Sequence, residues 1–306
     1  MIQPSDFYKS CDSVAKSLSE VKANIDKITQ HAANKGYQVF WRGQVNHEWG
    51  LVSSLMRRLG AVNDTTLNKV EDKILNEAGD WVSELRQAPY TEALAKLVFL
   101  QHHGVPTRLL DFTSEAWMAV FFAVDGHDEV DGRLFALLVD QASVLAAPPA
   151  GTPWRTFGTN EVWVFNPIKA GLNFPRLQAQ GGVLVVGRLP STRPHRKGFD
   201  RLLEAERSLL AAEVRRILSI PFKLSRFDPA GPANGVPSGA STPIGLTFRI
   251  HVDKESVRRD LAAVGRGNRT SPAATKITHR SVYPDAAGML SHSKVLRGLD
   301  KGVLLI

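Results

Sequence analysis

The chain has 306 residues, 43% of them hydrophobic, enough for one large domain or two small ones around a sizeable core. Its 38 Lys and Arg against 30 Asp and Glu leave a formal charge of +8, which favours polyanions or phosphate-bearing ligands, though many proteins with neither partner carry as much. The single cysteine, Cys11, leaves no intramolecular disulfide and no cysteine-based zinc site within one chain, and without a run of about 18 apolar residues no membrane span is expected.

The first residues lack the basic-then-apolar pattern of a secretory signal, so a cytoplasmic protein is expected. Residues 5 to 35 read as one helix. Ser5 or Asp6 would cap it, Phe7, Val14, Leu18, Val21, Ile25 and Ile28 would form its stripe, and Gly36 would end it. Tyr37 to Trp41 reads as a short strand delivering Arg42, with Gly43 allowing a backbone or ligand to approach. His47, Glu48 and Trp49 fall in a loop, and Arg57 and Arg58 add positive charge after it. Asp64 to Gln87 reads as a long helix with Leu67, Val70, Ile74, Ala78, Trp81 and Leu85 as its core stripe. Pro89 breaks it before a second helix begins near Thr91.

Residues 99 to 123 organise the rest. Leu94, Leu97, Val98 and Leu100 give the helix its buried stripe, Gly104 stops it, and Pro106 prevents its resumption. A crossing segment, Arg108 to Phe112, follows. Thr113 or Ser114 then caps a helix with Trp117, Val120, Phe121 and Val124 on one face. Gln101, His102, His103, Thr107, Arg108, Asp111, Thr113 and Ser114 form a polar cluster between two apolar segments, next to a helix N-terminus suited to an anion.

Downstream, Gly132 to Val139 is a buried strand, 141 to 159 a loop, and Glu161 to Phe165 a strand. Pro175 to Gln180 reads as an extended lead into a strand at Gly182 to Leu189, which would put Gln178 and Gln180 on one face. A basic loop at 191 to 199 precedes a charged helix at about 200 to 215, read as a solvated face. Ile217 to Leu224 reads as an edge strand, 228 to 243 and 265 to 276 as loops, and Ile244 to Val252 as a strand before a helix capped by Asp253. Tyr283-Pro284-Asp285 would open a last helix, and the apolar tail 303 to 306 would dock somewhere. The fold class expected is α+β: a single domain with a central mixed or antiparallel sheet flanked by helices. Residues 1–36 would be a helical extension, 37–295 the domain, and 296–306 the tail.

The run Gln101-His102-His103-Gly104-Val105-Pro106-Thr107-Arg108-Leu109-Leu110-Asp111 resembles the hallmark of FRG-domain proteins. Phe40-Trp41-Arg42-Gly43-Gln44 resembles the motif that names the family, with Trp where a Phe or Tyr usually precedes the Arg-Gly. Gln178 to Gly182 and Val282 to Asp285 resemble later blocks in the same order. The resemblance implies an effector of a bacterial or phage-related conflict or defence system.

The order of these blocks also resembles that of ADP-ribosyltransferases. That resemblance implies NAD as the cofactor, a fold of that kind, and an acceptor that is nucleic acid or protein. Arg42, Ser114 and Gln180 would then be catalytic. Arg42, Gly43, Gln44, His103, Thr107, Arg108, Asp111 and Thr113 would bind the dinucleotide. Gln180 stands where that family usually has a Glu, and an amide cannot serve as a carboxylate base. From the residues themselves, an Arg fork suits phosphate or carboxylate equally, so a salt bridge for Arg42 is as plausible as a ligand. Asp111 beside Arg108 reads first as a buried ion pair. Two other classes fit the same residues: a binding module for a nucleotide or nucleic-acid end, and a metal-independent phosphodiesterase using His102 or His103 with Asp111. The adjacent histidines face about 100° apart on a helix and are not expected to share a metal.

Overall fold

The computed structural model describes residues 4–8, 12–156, 161–190, 211–221, 223–224, 243–263 and 277–285. Its centre is one mixed sheet. The strands are β1 (Val14–Ala15), β2 (Gln38–Gln44), β3 (Leu110–Thr113), β4 (Gly132–Val139), β5 (Val144–Leu145), β6 (Val162–Phe165), β7 (Gly182–Gly187), β8 (Lys223–Leu224) and β9 (Ile244–Ile250). Their order is β1-β9-β4-β2-β3-β7-β6-β5, with β8 also on β9. The β4–β9, β2–β4, β2–β3, β3–β7 and β6–β7 pairs are antiparallel, and only the short β1, β5 and β8 pair in parallel. The helices that matter here are α1 (Pro4–Tyr8), α2 (Leu18–Asn34), α3 (Ser54–Leu59), α4 (Asp64–Trp81), α5 (Ala93–His102), α6 (Ala116–Val124), α7 (Pro175–Ala179), α8 (Ala211–Arg215) and α9 (Lys254–Ala263). This is the α+β architecture expected from the pattern of elements.

Strand alternation divides the core. Trp41 packs on one face with α2, α6 and α9 through Val21, Ile25, Ile28, Met118, Phe121, Val257 and Leu261. Phe40 packs on the other with Phe112, Phe135, Val164, Val185 and the Phe7 and Tyr8 side chains of α1. β4 is buried along its whole length because both of its faces are covered. Arg133 within it is fully buried, and it is neutralised by a bidentate pair to Asp12 at 2.7 and 3.0 Å.

Helix α6 sits almost in backbone contact with the sheet. A Cβ on Gly43 would stand 1.8 Å from the Ala119 carbonyl oxygen, and one on Gly132 would stand 2.3 Å from that of Ala123. The two glycines lie on neighbouring strands, and the two alanines are one helical turn apart. The close approach Gly43 was expected to allow is therefore that of a helix.

Several expectations need correction. Residues 5 to 35 are not one helix. α1 and α2 are separated by β1, which pairs with β9. The break is local chemistry: Ser17 Oγ accepts from the Glu20 amide at 3.2 Å, and the Glu20 carboxylate accepts from the Lys16 amide at 2.8 Å. α2 joins the same core as α6. α4 ends at Trp81, and Leu85 belongs to a following 3-10 turn, Ser83–Arg86. Trp81 is 87% exposed and is not core, while Glu71 occupies the buried stripe. Pro175 to Gln180 is helical, not extended, so side-chain alternation does not apply there. The edge strand expected at Ile217 to Leu224 is reduced to β8 and a bridge between Leu51 and Leu218. Neither Thr113 nor Ser114 is the cap residue of α6. That position is Glu115, and it makes no side-chain cap bond. Cys11, the basic loop 191 to 199, most of the helix expected at about 200 to 215, the segments 228 to 242 and 265 to 276, the helix after Asp285 and the tail lie outside the described residues.

The α6–sheet contact gives a direct prediction. Gly43→Ala forces the helix off the strand and should destabilise by about 3 kcal/mol or more. Gly79→Ala in α4 meets nothing within 4 Å and should stabilise by up to ~1 kcal/mol. Urea unfolding of the two variants measures the contrast, and equal midpoints would contradict it.

Candidate functional site

The cavity lies where the ends of β2, β3 and β7 meet α5, α7 and the loop after β2. It encloses about 1120 Å³ and is open to solvent. Among the residues lining it are Arg42, Gly43, Gln44, Trp49, Arg57, Gln101, His102, Asp111, Thr113, Arg176, Gln180 and Tyr283. The topology explains the convergence. β2 and β3 are hydrogen-bonded neighbours with Trp41 opposite Thr113, and β3 pairs in turn with β7, Thr113 lying opposite Gly182. Residues 69 and 138 positions beyond Arg42 in the chain are thereby brought to the same hollow.

Arg42 is half-buried in the cavity wall. Its Nη1 donates to the Asp111 carbonyl oxygen at 2.5 Å, and its buried Nε has no partner among the described residues. Burial pushes its pKa down, the nearby Asp111 raises it, and Arg57 lowers it further. An arginine keeps its proton under such pressure, so the cation is left short of an anion. Gln44 follows on the same face of β2. It is 6% exposed, its Nε2 donates to the Gly50 carbonyl at 3.2 Å, and its buried Oε1 has no partner among the described residues. A buried donor and a buried acceptor two residues apart are an unusual pair to leave unmatched in a folded protein.

Asp111 is not paired with Arg108. Its carboxylate accepts from Gln101 Nε2 at 2.6 Å, and Gln101 Oε1 in turn accepts from Thr107 Oγ1. Thr107 therefore sits behind the cavity, buried, and orients a residue that lines it. Arg108 points into the interior, with Nε on Glu71 at 2.6 Å and Nη2 on Asn68 at 2.5 Å. Arg155 holds the other oxygen of the fully buried Glu71 at 2.7 Å. The expected Arg108–Asp111 pair is thus replaced by an Arg108–Glu71–Arg155 knot away from the cavity.

Thr113 lines the cavity and is fully committed. Its Oγ1 donates to the Gln180 carbonyl at 2.6 Å and accepts from the Glu115 amide at 2.9 Å. Ser114 does not line the cavity. Its hydroxyl donates to the Gly181 carbonyl at 3.3 Å. Gln180 lines the cavity and donates from Nε2 to the Val282 carbonyl at 3.2 Å. His103 is exposed and meets Phe99 in a tilted ring contact with centroids 4.4 Å apart, away from the hollow, whereas His102 lines it. Burial holds the His102 pKa below the ordinary histidine value, helped by His103 and Arg176 and opposed by Asp285.

Among the cavity residues given no site role by the sequence are Trp49, Arg176 and Tyr283. Arg176 makes a bidentate pair with Asp285 at 2.9 and 2.7 Å and lies over the Tyr283 ring at 5.6 Å. Burial, and then Asp125, push the Tyr283 hydroxyl up to about 12, so it stays protonated. Its Tyr-Pro-Asp block was a signal available in the sequence. The role of Arg176 was not, because its partner is 109 residues away.

The geometry makes two predictions. Arg108→Ala should cost about 3–5 kcal/mol by urea unfolding, because Glu71 loses half of its compensation, while leaving ligand affinity of the folded protein unchanged. Lost binding with unchanged stability would place Arg108 at the cavity after all. His102 is neutral at neutral pH and gains charge only in acid. Binding of sulfate, whose own charge is constant over the range, should therefore tighten as the pH falls from about 8 to about 5, and His102→Asn should flatten that profile. A profile that is the same in both proteins would assign the effect elsewhere.

Residues 37–132 match the family model described as the FRG domain. No curated protein and no solved structure matches the chain at a significant level. Both Phe40 to Gln44 on β2 and Gln101 to Asp111, running from α5 into β3, lie inside the matched span. The resemblance to the FRG domain is thus confined to residues 37–132, and the cavity wall is supplied from both inside and beyond that span.

Proposed function

We propose that the cavity takes NAD and that the protein is an ADP-ribosyltransferase-like effector of a bacterial or phage conflict system, with a nucleic-acid or protein acceptor. One observation carries this reading. Arg42 is a half-buried cation with a buried, unmatched Nε and, among the described residues, one hydrogen-bond partner, a backbone carbonyl, in a hollow large enough for a dinucleotide that also receives Gln180 and Thr113.

The residues present fit such a ligand. Arg42 supplies, beyond the Nη1 bond to the Asp111 carbonyl, its remaining guanidinium donors for the pyrophosphate. Asp111, fixed by Gln101, supplies a carboxylate able to accept from ribose hydroxyls. Gln180, anchored through Nε2, keeps its amide oxygen for a hydroxyl or for the developing positive charge at the ribose. NAD supplies a glycosidic bond that breaks with nicotinamide taking the bonding pair, while the acceptor bonds to the ribose carbon and loses a proton. The protein's own work is to hold the pyrophosphate and present oxygens to the ribose. Thr113 acts through Gln180, because its hydroxyl fixes the backbone of that residue.

A second reading is a non-catalytic nucleotide-binding module. It is favoured by the amide at position 180, where transfer chemistry usually has a carboxylate.

Incubation with NAD carrying a labelled ADP-ribose moiety, with and without cell lysate, separates the two. The transferase reading expects nicotinamide release and a labelled macromolecule, with Arg42→Ala slowing release by roughly 10²–10³-fold. Saturable NAD binding with no release in any lysate would leave the module. Unchanged release in Arg42→Ala would remove Arg42 from the site.

A further inference from the structure

Two large hydrophobic side chains are exposed among the described residues, Trp81 at 87% and Trp49 at 47%. They differ in setting. Trp81 ends α4 away from the cavity, whereas Trp49 forms part of the cavity wall along with Arg42 and Arg57. The segment that carries Trp49 is tied down on every side. Lys254, itself buried, donates from Nζ to the Val45 carbonyl at 2.6 Å. The His47 amide donates to the Asp131 carbonyl at 2.8 Å, and Arg133 Nε donates to the His47 carbonyl at 2.9 Å. Gln44 holds the Gly50 carbonyl, and a Cβ on Gly50 would stand 2.8 Å from the Ile217 carbonyl oxygen. A loop fixed in this way presents its indole and does not let it collapse into the core. The ring meets His127 edge-on, with centroids 5.7 Å apart, and is otherwise half open.

We propose that Trp49 is the stacking platform for a planar base, so that the ligand of this cavity is a nucleotide and not a simple phosphate ester. The inference rests on the reading above that Arg42 receives the phosphates, and it adds the other end of the ligand. Exposed indole faces bind bases through dispersion and π-stacking, largely irrespective of base identity. The unmatched Gln44 Oε1 points the same way. A buried acceptor is completed by an N–H or O–H donor, which a base or its ribose carries and a fully ionised phosphate does not. Trp49 and Gln44 are joined through the Gly50 carbonyl, so platform and acceptor are set by one hydrogen bond.

Calorimetric titration of the full chain with inorganic pyrophosphate, ADP and NAD tests this. ADP and NAD should bind at least fivefold more tightly than pyrophosphate. Trp49→Ala should remove that advantage and leave pyrophosphate affinity unchanged, and Trp49→Phe should restore most of it. Unchanged thermal unfolding of both variants shows that the fold is intact, as expected for a half-exposed side chain. Equal affinities for pyrophosphate and ADP in the wild type, or an ADP advantage that survives in Trp49→Ala, would overturn the platform while leaving the Arg42 anion site standing. Binding of none of the three probes would overturn the anion reading and the platform with it.

Discussion

The structure depends on how closely α6 lies on β2 and β4. Two missing side chains, at Gly43 and Gly132, let the backbone carbonyls of Ala119 and Ala123 come within a distance that any Cβ would forbid. That contact covers one face of the two central strands and sets the direction in which the chain leaves β3. Arg42 and Gln44 flank Gly43 on the same strand and point to the opposite face. The glycine that seats the helix therefore also aims its two neighbours at the cavity. The short motif Phe40 to Gln44 encodes a packing requirement and a ligand-facing pair in alternating positions.

Around that pair the polar groups form layers. Arg42, Gln101, Asp111, Thr113 and Gln180 face the hollow, Thr113 also fixing the Gln180 backbone, and Thr107 stands behind them as a support. Arg108 and Glu71 lie deeper still and serve the fold. The desolvation that disfavours the Arg42 charge is offset only in part by the Asp111 carboxylate, which hydrogen-bonds Gln101, while the Asp111 carbonyl is what meets the guanidinium. A half-buried cation held in this way is stabilised by an anionic guest.

Much of this was legible in the chain. The Gly132 to Val139 strand, the stop at Gly104 and the two helices flanking the polar cluster follow from apolar spacing and from glycine chemistry. The partners of the polar side chains were not legible, because they are set by strand pairing between distant segments. Arg108 and Asp111 were read as a pair from nearness in sequence, yet Arg108 sits at a bend before β3 and turns inward to Glu71, while Asp111 lies on the strand and meets Gln101. His102 and His103 posed a similar choice on a helix, and packing against Phe174 turned His102 to the cavity. The break before α2 was readable, since Ser17 and Glu20 stand at capping-box spacing, but the apolar stripe running through Phe7 and Val14 masked it. Trp81 fits its stripe by spacing alone and is exposed because α4 ends there.

The central claim is that Arg42 grips the phosphates of a nucleotide in the cavity shared with Gln180. A crystal structure of the chain with ADP-ribose, which retains the pyrophosphate but lacks the labile nicotinamide bond, tests it most directly. The account predicts a phosphate oxygen within hydrogen-bonding distance of the Arg42 guanidinium and a ribose beside Gln180. ADP-ribose bound elsewhere, with Arg42 still held only by the Asp111 carbonyl, would contradict it.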